Sequence, residues 1–124
     1  MSEKLYSISN PIHKQTIENQ ECRMNLDGVK PVEGYMVSFR SKEHKINVLD
    51  FNVGHVDSFI RSNLDLLHNR NCFVGTWIDN DIVYIDISLN ISDKDQALIW
   101  GKANGQICIW DVKKKVEIYQ LEEV

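Results

Sequence analysis

Two strand pairs flanking one capped helix, each pair opening on a tryptophan, limit what this chain can fold into more than any other feature. Residues 72–91 read CFVGTWIDNDIVYIDISLNI, two runs rich in Val, Ile, Tyr and Trp around the polar tip Asp79-Asn80-Asp81. Residues 107–121 read ICIWDVKKKVEIYQL, two further runs around Asp111 to Lys115. Val83, Ile85, Ile87 and Leu89 alternate with Ile82, Tyr84, Asp86 and Ser88, the two-residue period of a strand with one fully apolar face and one mixed face that is partly buried or partly used. Between the pairs, Ser92 precedes Asp95 by three as a variant capping box, Asp93 and Asp95 suit the first helical turn, and Asn104-Gly105 is a left-handed exit.

Upstream, Tyr35 to Phe39 and Lys45 to Leu49 predict a first hairpin around the polar tip Arg40 to Glu43. Val56, Phe59, Ile60, Leu64 and Leu67 fall on one helical stripe, with Asp57, Arg61 and Asp65 on the other side. The order is ββ-α-ββ-α-ββ, an α+β fold in which two helices pack on an antiparallel sheet. Trp77 precedes Val83 and Ile85 by the same six and eight residues by which Trp110 precedes Val116 and Ile118, a faint internal echo of an α-β-β unit.

Residues 1–33 differ. Asn10-Pro11 suits a helix start and Leu26-Asp27-Gly28 an exit, but Ile12, Ile17, Cys22 and Met24 do not hold a helical period. The reading is a polar N-terminal arm, at most marginally helical, before a single α+β core domain at 34–124. On that reading Leu64→Ala or Ile85→Ala costs about 2–5 kcal/mol, and removing residues 1–30 costs much less.

With 124 residues, 43% of them apolar and 26% charged, the chain suits one globular domain with its own core. No stretch approaches the ~20 apolar residues of a membrane span, and residues 1–10 lack a basic start followed by an apolar run, so neither anchor nor secretory signal is expected and the setting is cytoplasmic. The three cysteines form no CxxC pair and read as reduced thiols, Cys72 and Cys108 as small hydrophobes within strands. A net charge of −4 argues against gripping a nucleic-acid backbone.

No group stands out as catalytic, metal-binding or cofactor-binding. His68 and Cys72 are four apart near His55, yet lack the further ligands a zinc site needs. Asp79 and Asp81 suit a turn on conformational grounds, while Asp86, in mid-strand, needs solvent or a cationic partner. The cysteines lack an activating context, and no glycine-rich loop opens a helix to cradle phosphate. Lys113, Lys114 and Lys115 form a positive hairpin tip of the kind that protects sheet edges. Asp79, Asp81 and these three lysines, the most charged and least core-constrained points, are therefore the interface candidates. Whether Asp86, His55 or Cys72 takes part in chemistry stays open, as does self-association.

Gly101 to Val112 followed by Val116-Glu-Ile, Gly34-Tyr-Met-Val37, and Gly75-Thr-Trp with the Val83 to Asp86 strand together resemble small phage and prophage accessory proteins, over Gly34 to Ile118. The resemblance carries no assigned activity and implies only a setting: an accessory gene of a mobile element in a bacterial cell. The function expected there is a non-enzymatic binder that inhibits a host defence factor through a protein interface, with Trp and Tyr as anchors and charge for steering. The alternative is a protein that sequesters or hydrolyses a small nucleotide-like signal in a pocket.

Overall fold

Ten residues of unbroken strand at Ile82–Ile91 (β5) organise the sheet, because their alternation gives one side chain row to each face. The structure, a computed structural model, describes residues 4–120, with the Arg40 side chain outside the description; Leu121, the last residue of the expected final strand, also lies outside the described residues. β5 pairs through residues 82–89 with Cys72–Asp79 (β4), which in turn pairs with Glu21–Met24 (β1). Its other edge carries Tyr35–Ser38 (β2) and His44–Asn47 (β3), and the sheet continues from β2 through Cys108–Asp111 (β6) to Val116–Tyr119 (β7). The seven strands are all antiparallel, in the order β1-β4-β5-β2-β6-β7 with β3 beside β5. The expected α+β architecture, with helices on an antiparallel sheet, is present, and the order ββ-α-ββ-α-ββ holds from β2 to β7.

The first strand pair is not a hairpin. β2 lies against residues 88–91 of β5 and β3 against residues 82–85, so the two run end to end along one edge. A 3-10 turn at Arg40–Lys42 joins them, and the Phe39 N–H still donates to the Ile87 carbonyl (2.8 Å). Residues 39–43 thus stand opposite only Ile87 and Asp86, a bulge between two ladders. This arrangement puts Val37 and Ile46 in rows with Leu89 and Val83, on the apolar face of β5.

The N-terminal segment also departs from its reading as an arm at most marginally helical. Ser9–Asn19 (α1) is an eleven-residue helix, and β1 is an edge strand of the main sheet. Ile8, Ile12, Cys22 and Met24 are core residues. The apolar period fails because Ile17 is 45% exposed while Thr16 occupies the buried stripe, its hydroxyl donating to the Ile12 carbonyl (2.6 Å) and lying 2.5 Å from the Thr76 hydroxyl.

The expected central helix divides at Asn63 into Val53–Ser62 (α2) and Leu64–Leu67 (α3). Asp57, placed on its polar side by the sequence, is buried and ties the helix to the N-terminal segment. Its Oδ1 accepts from the Tyr6 N–H and the Ser9 hydroxyl (both 2.8 Å), and Oδ2 accepts from Arg61 Nε (2.7 Å). The fourth helix, Lys94–Ala103 (α4), starts with the Asp93 carboxylate accepting from the Gln96 N–H. α1, α2 and α3 cover β1, β4 and β5, and α4 covers β2 and β6, from the same face of the sheet. No helix among the described residues is long and apolar enough to cross a membrane.

Candidate functional site: the helix-free face of the sheet

The other side chain row of every strand points away from the helices, and strand register sets out what that face contains. Glu21, Trp77, Tyr84 and Lys45 form one row across β1, β4, β5 and β3. Arg23, Gly75 and Asp86 form the next across β1, β4 and β5, ending at the bulge. Phe73, Ser88 and Ser38 follow, and then Asn90, Met36, Trp110 and Glu117 across β5, β2, β6 and β7. A recess of about 1150 Å³ lies over this face, with Arg23, Trp77, Asp86, Met36 and Trp110 in its lining and Lys30, Pro31, Lys115 and Glu117 contributing to its walls.

Its floor is polar. Asp86 is only 3% exposed, and burial pushes its carboxyl up to about 6, against the pull of the Ser38 hydroxyl and the Arg23 guanidinium. Burial likewise draws Arg23 below its ordinary value, opposed by Asp86 and Glu21. Arg23 Nε is buried and has no hydrogen-bond partner among the described residues. Both side chains lean over Gly75: a Cβ built there would stand 2.7 Å from Asp86 Oδ1 and 3.8 Å from Arg23 Nε. The absence of a side chain at residue 75 therefore allows the carboxyl and guanidinium to share the floor.

The aromatic part is braced. Trp77 and Tyr84 stack with centroids 5.0 Å apart and planes 5° from parallel, and Lys45 Nζ lies 5.7 Å from the Tyr84 centroid. Trp110, opposite Glu117 in β7, brings a second half-buried indole to the recess, whereas Trp100 is 46% exposed on α4. Cys108 also lines the recess, and burial raises its thiol above the ordinary value. Such a surface can hold a group by charge, hydrogen bonding and stacking.

The sequence candidates fall elsewhere. Asp79 and Asp81 are exposed at the β4–β5 turn, where Asn80 and Asp81 adopt the left-handed backbone (φ 49° and 65°). Lys113, Lys114 and Lys115 are exposed in the β6–β7 turn, which Asp111 organises by accepting from the Lys114 N–H (3.0 Å). These tips lie at opposite ends of the sheet, roughly 30 Å apart along β5 at ~3.3 Å per residue, so they form no common surface; Lys115 alone reaches the recess wall. His55 closes the capping box of α2, its Nδ1 accepting from the Asn52 N–H while its own N–H donates to Asn52 Oδ1 (both 3.2 Å). Cys72 is in the helix-covered core, where burial raises its thiol. Among the described residues no three His, Cys, Asp or Glu side chains gather as a metal site would require.

Arg23 and Gly75 were absent from the sequence candidates. Asp86 is signalled by its place on the mixed face of β5, whereas its neighbour Arg23 lies in the segment whose sequence reads as an arm and which forms β1. Family models, curated proteins and solved structures alike offer no match to this chain.

Proposed function

We propose that the chain is a non-enzymatic binding protein that recognises its partner through the helix-free face of the sheet, and that in a phage or prophage setting within a bacterial cytoplasm the partner is a host defence factor it inhibits. The observation carrying this reading is the recess itself: two half-buried tryptophans, the half-buried Arg23 and the buried Asp86 on the face the helices leave uncovered. Clustered aromatic and arginine side chains are the usual anchors of a recognition surface. The charged tips at Asp79, Asp81 and Lys113 to Lys115 supply steering, which acts on association rate and salt dependence.

The test is capture from host lysate with the intact chain and with Trp110→Glu, followed by reconstitution with the purified captured protein. Loss of capture with an unchanged melting temperature is expected; undiminished binding by a folded Trp110→Glu chain contradicts the reading. A second reading, sequestration of a small nucleotide-like signal, is favoured by Arg23 in the recess lining, whose buried Nε has no partner among the described residues. Mass spectrometry of molecules released from the purified protein distinguishes it.

A further inference from the structure

We propose that the recess on the helix-free face is a site for a small planar aromatic molecule bearing one anionic group, the anion seated on Arg23 and the ring laid against Trp77. The proposal rests on the small-ligand reading above and gives that ligand a chemistry.

Arg23 supplies the first part of the argument. A guanidinium presents five N–H donors in a rigid fork that matches carboxylate and phosphate oxygens, and a buried donor without an acceptor is costly to maintain. Its Nε is buried without a partner among the described residues, and the side chain lines the recess. That Nε is itself closed off, so an entering anion meets the rest of the half-buried Arg23 side chain, where it lines the recess. Lys30, from the segment between β1 and β2, adds a second cation to the wall.

Gly75 and Asp86 limit the shape and charge of what fits. With no side chain at residue 75, the Asp86 carboxyl lies over the strand there, 2.7 Å from where a Cβ would stand, and sets an acceptor beside Arg23. Asp86 shares the recess floor, so a ligand carrying one anion and an N–H or O–H donor is matched better than a polyanion, which would meet the Asp86 and Glu43 carboxyls as well.

Trp77 supplies the ring contact. It lies one row from Arg23 on the adjacent strand, lines the recess, and is held in orientation by its stack on Tyr84. Preorganised indole faces bind flat rings with little loss of side-chain freedom. The recess volume, about 1150 Å³, is somewhat above the roughly 300–1,000 Å³ of small-ligand sites and leaves room for a ring system with a charged substituent.

The test uses the full chain and follows tryptophan fluorescence and titration calorimetry with two probes, adenosine 5′-monophosphate for phosphate and indole-3-acetate for carboxylate. Adenosine and indole serve as their uncharged counterparts. Saturable binding of at least one anionic probe is expected, weakened by a factor of about ten or more in its uncharged counterpart and in Arg23→Gln and Trp77→Leu. Which probe binds tells phosphate from carboxylate. Binding of neither, equal binding of charged and uncharged counterparts, or an unchanged affinity in a folded Arg23→Gln chain overturns the proposal. If Arg23→Gln fails to fold, Lys30→Ala and the uncharged counterparts carry the same decision. Should no probe bind while Trp110→Glu still abolishes capture of a host protein, the ligand proposal fails and the face stands as a protein interface. Should Trp110→Glu leave capture intact while a probe binds as expected, the protein-partner reading fails and the ligand site stands.

Discussion

At Gly75 an added methyl group would stand 2.7 Å from Asp86 Oδ1, closer than real side chains approach. Gly75→Ala is therefore expected to destabilise by about 1–3 kcal/mol through overpacking, and pairing it with Asp86→Ala is expected to recover part of that loss; urea melts of the four proteins of the cycle measure it. Asp86 gives a second, pH-dependent signature. Its folded value of about 6 lies above the ordinary 3.8, so the folded state holds the proton more tightly than the unfolded chain does. The resulting stabilisation is complete below the ordinary value and is lost as pH rises through about 6. Relative to Asp86→Asn, the native chain should thus lose on the order of 2–3 kcal/mol between those limits, and a flat difference would refute the buried carboxyl. Asp57 behaves oppositely. Burial alone would raise it, but hydrogen bonds from Arg61, the Tyr6 N–H and Ser9 outweigh that and hold it below the ordinary range. Its contribution is present above the ordinary value and disappears as pH falls through its lowered one.

Among the elements, α1 is the one the residues concealed. Ile8, Ile12 and Thr16 share its buried side, so a stripe counted only in apolar residues breaks at Thr16 and is misled by exposed Ile17. The helix is held by packing on β1 and α2 and by the Asp57 cluster, which are long-range contacts that no local period reveals. In contrast, β4 and β5 were legible because alternation and turn residues agree, and α4 because polar cap residues precede it and Asn104-Gly105 ends it, although its cap is Asp93 and not the expected Ser92. Alternation assigns faces but not partners, which is why β2 and β3 looked like a hairpin when each pairs with β5. Ile12→Ala is expected to cost about 2–5 kcal/mol, as much as Ile85→Ala, since both side chains are fully buried. Leu64→Ala should cost less because Leu64 is only half-buried. Removing residues 1–24 takes away α1 and β1 together and should abolish the cooperative thermal transition; a truncated chain that melts like the intact one would return this segment to the status of an arm.

Across the whole molecule, the helices occupy one face of the sheet and leave Arg23, Trp77, Asp86 and Trp110 on the other. Part of this was legible: the mixed row of β5 and the echo of Trp77 and Trp110 both mark side chains of that face. The recess was not, because it requires β1 as a neighbour of β4 and the bulge beside Asp86, and both come from tertiary pairing. On the proposed function, recognition runs through this face and the charged tips act only at long range. The most direct measurement is the equilibrium affinity of three folded chains for the purified captured partner: native, Trp77→Ser/Trp110→Ser, and Asp79→Lys/Asp81→Lys/Lys113→Glu/Lys114→Glu. The tryptophan variant is expected to lose affinity by about a hundredfold or more, as for two interface anchors, while the tip variant changes chiefly in association rate and salt dependence. A tip variant that loses affinity while the tryptophan variant binds as the native chain does would contradict that proposal.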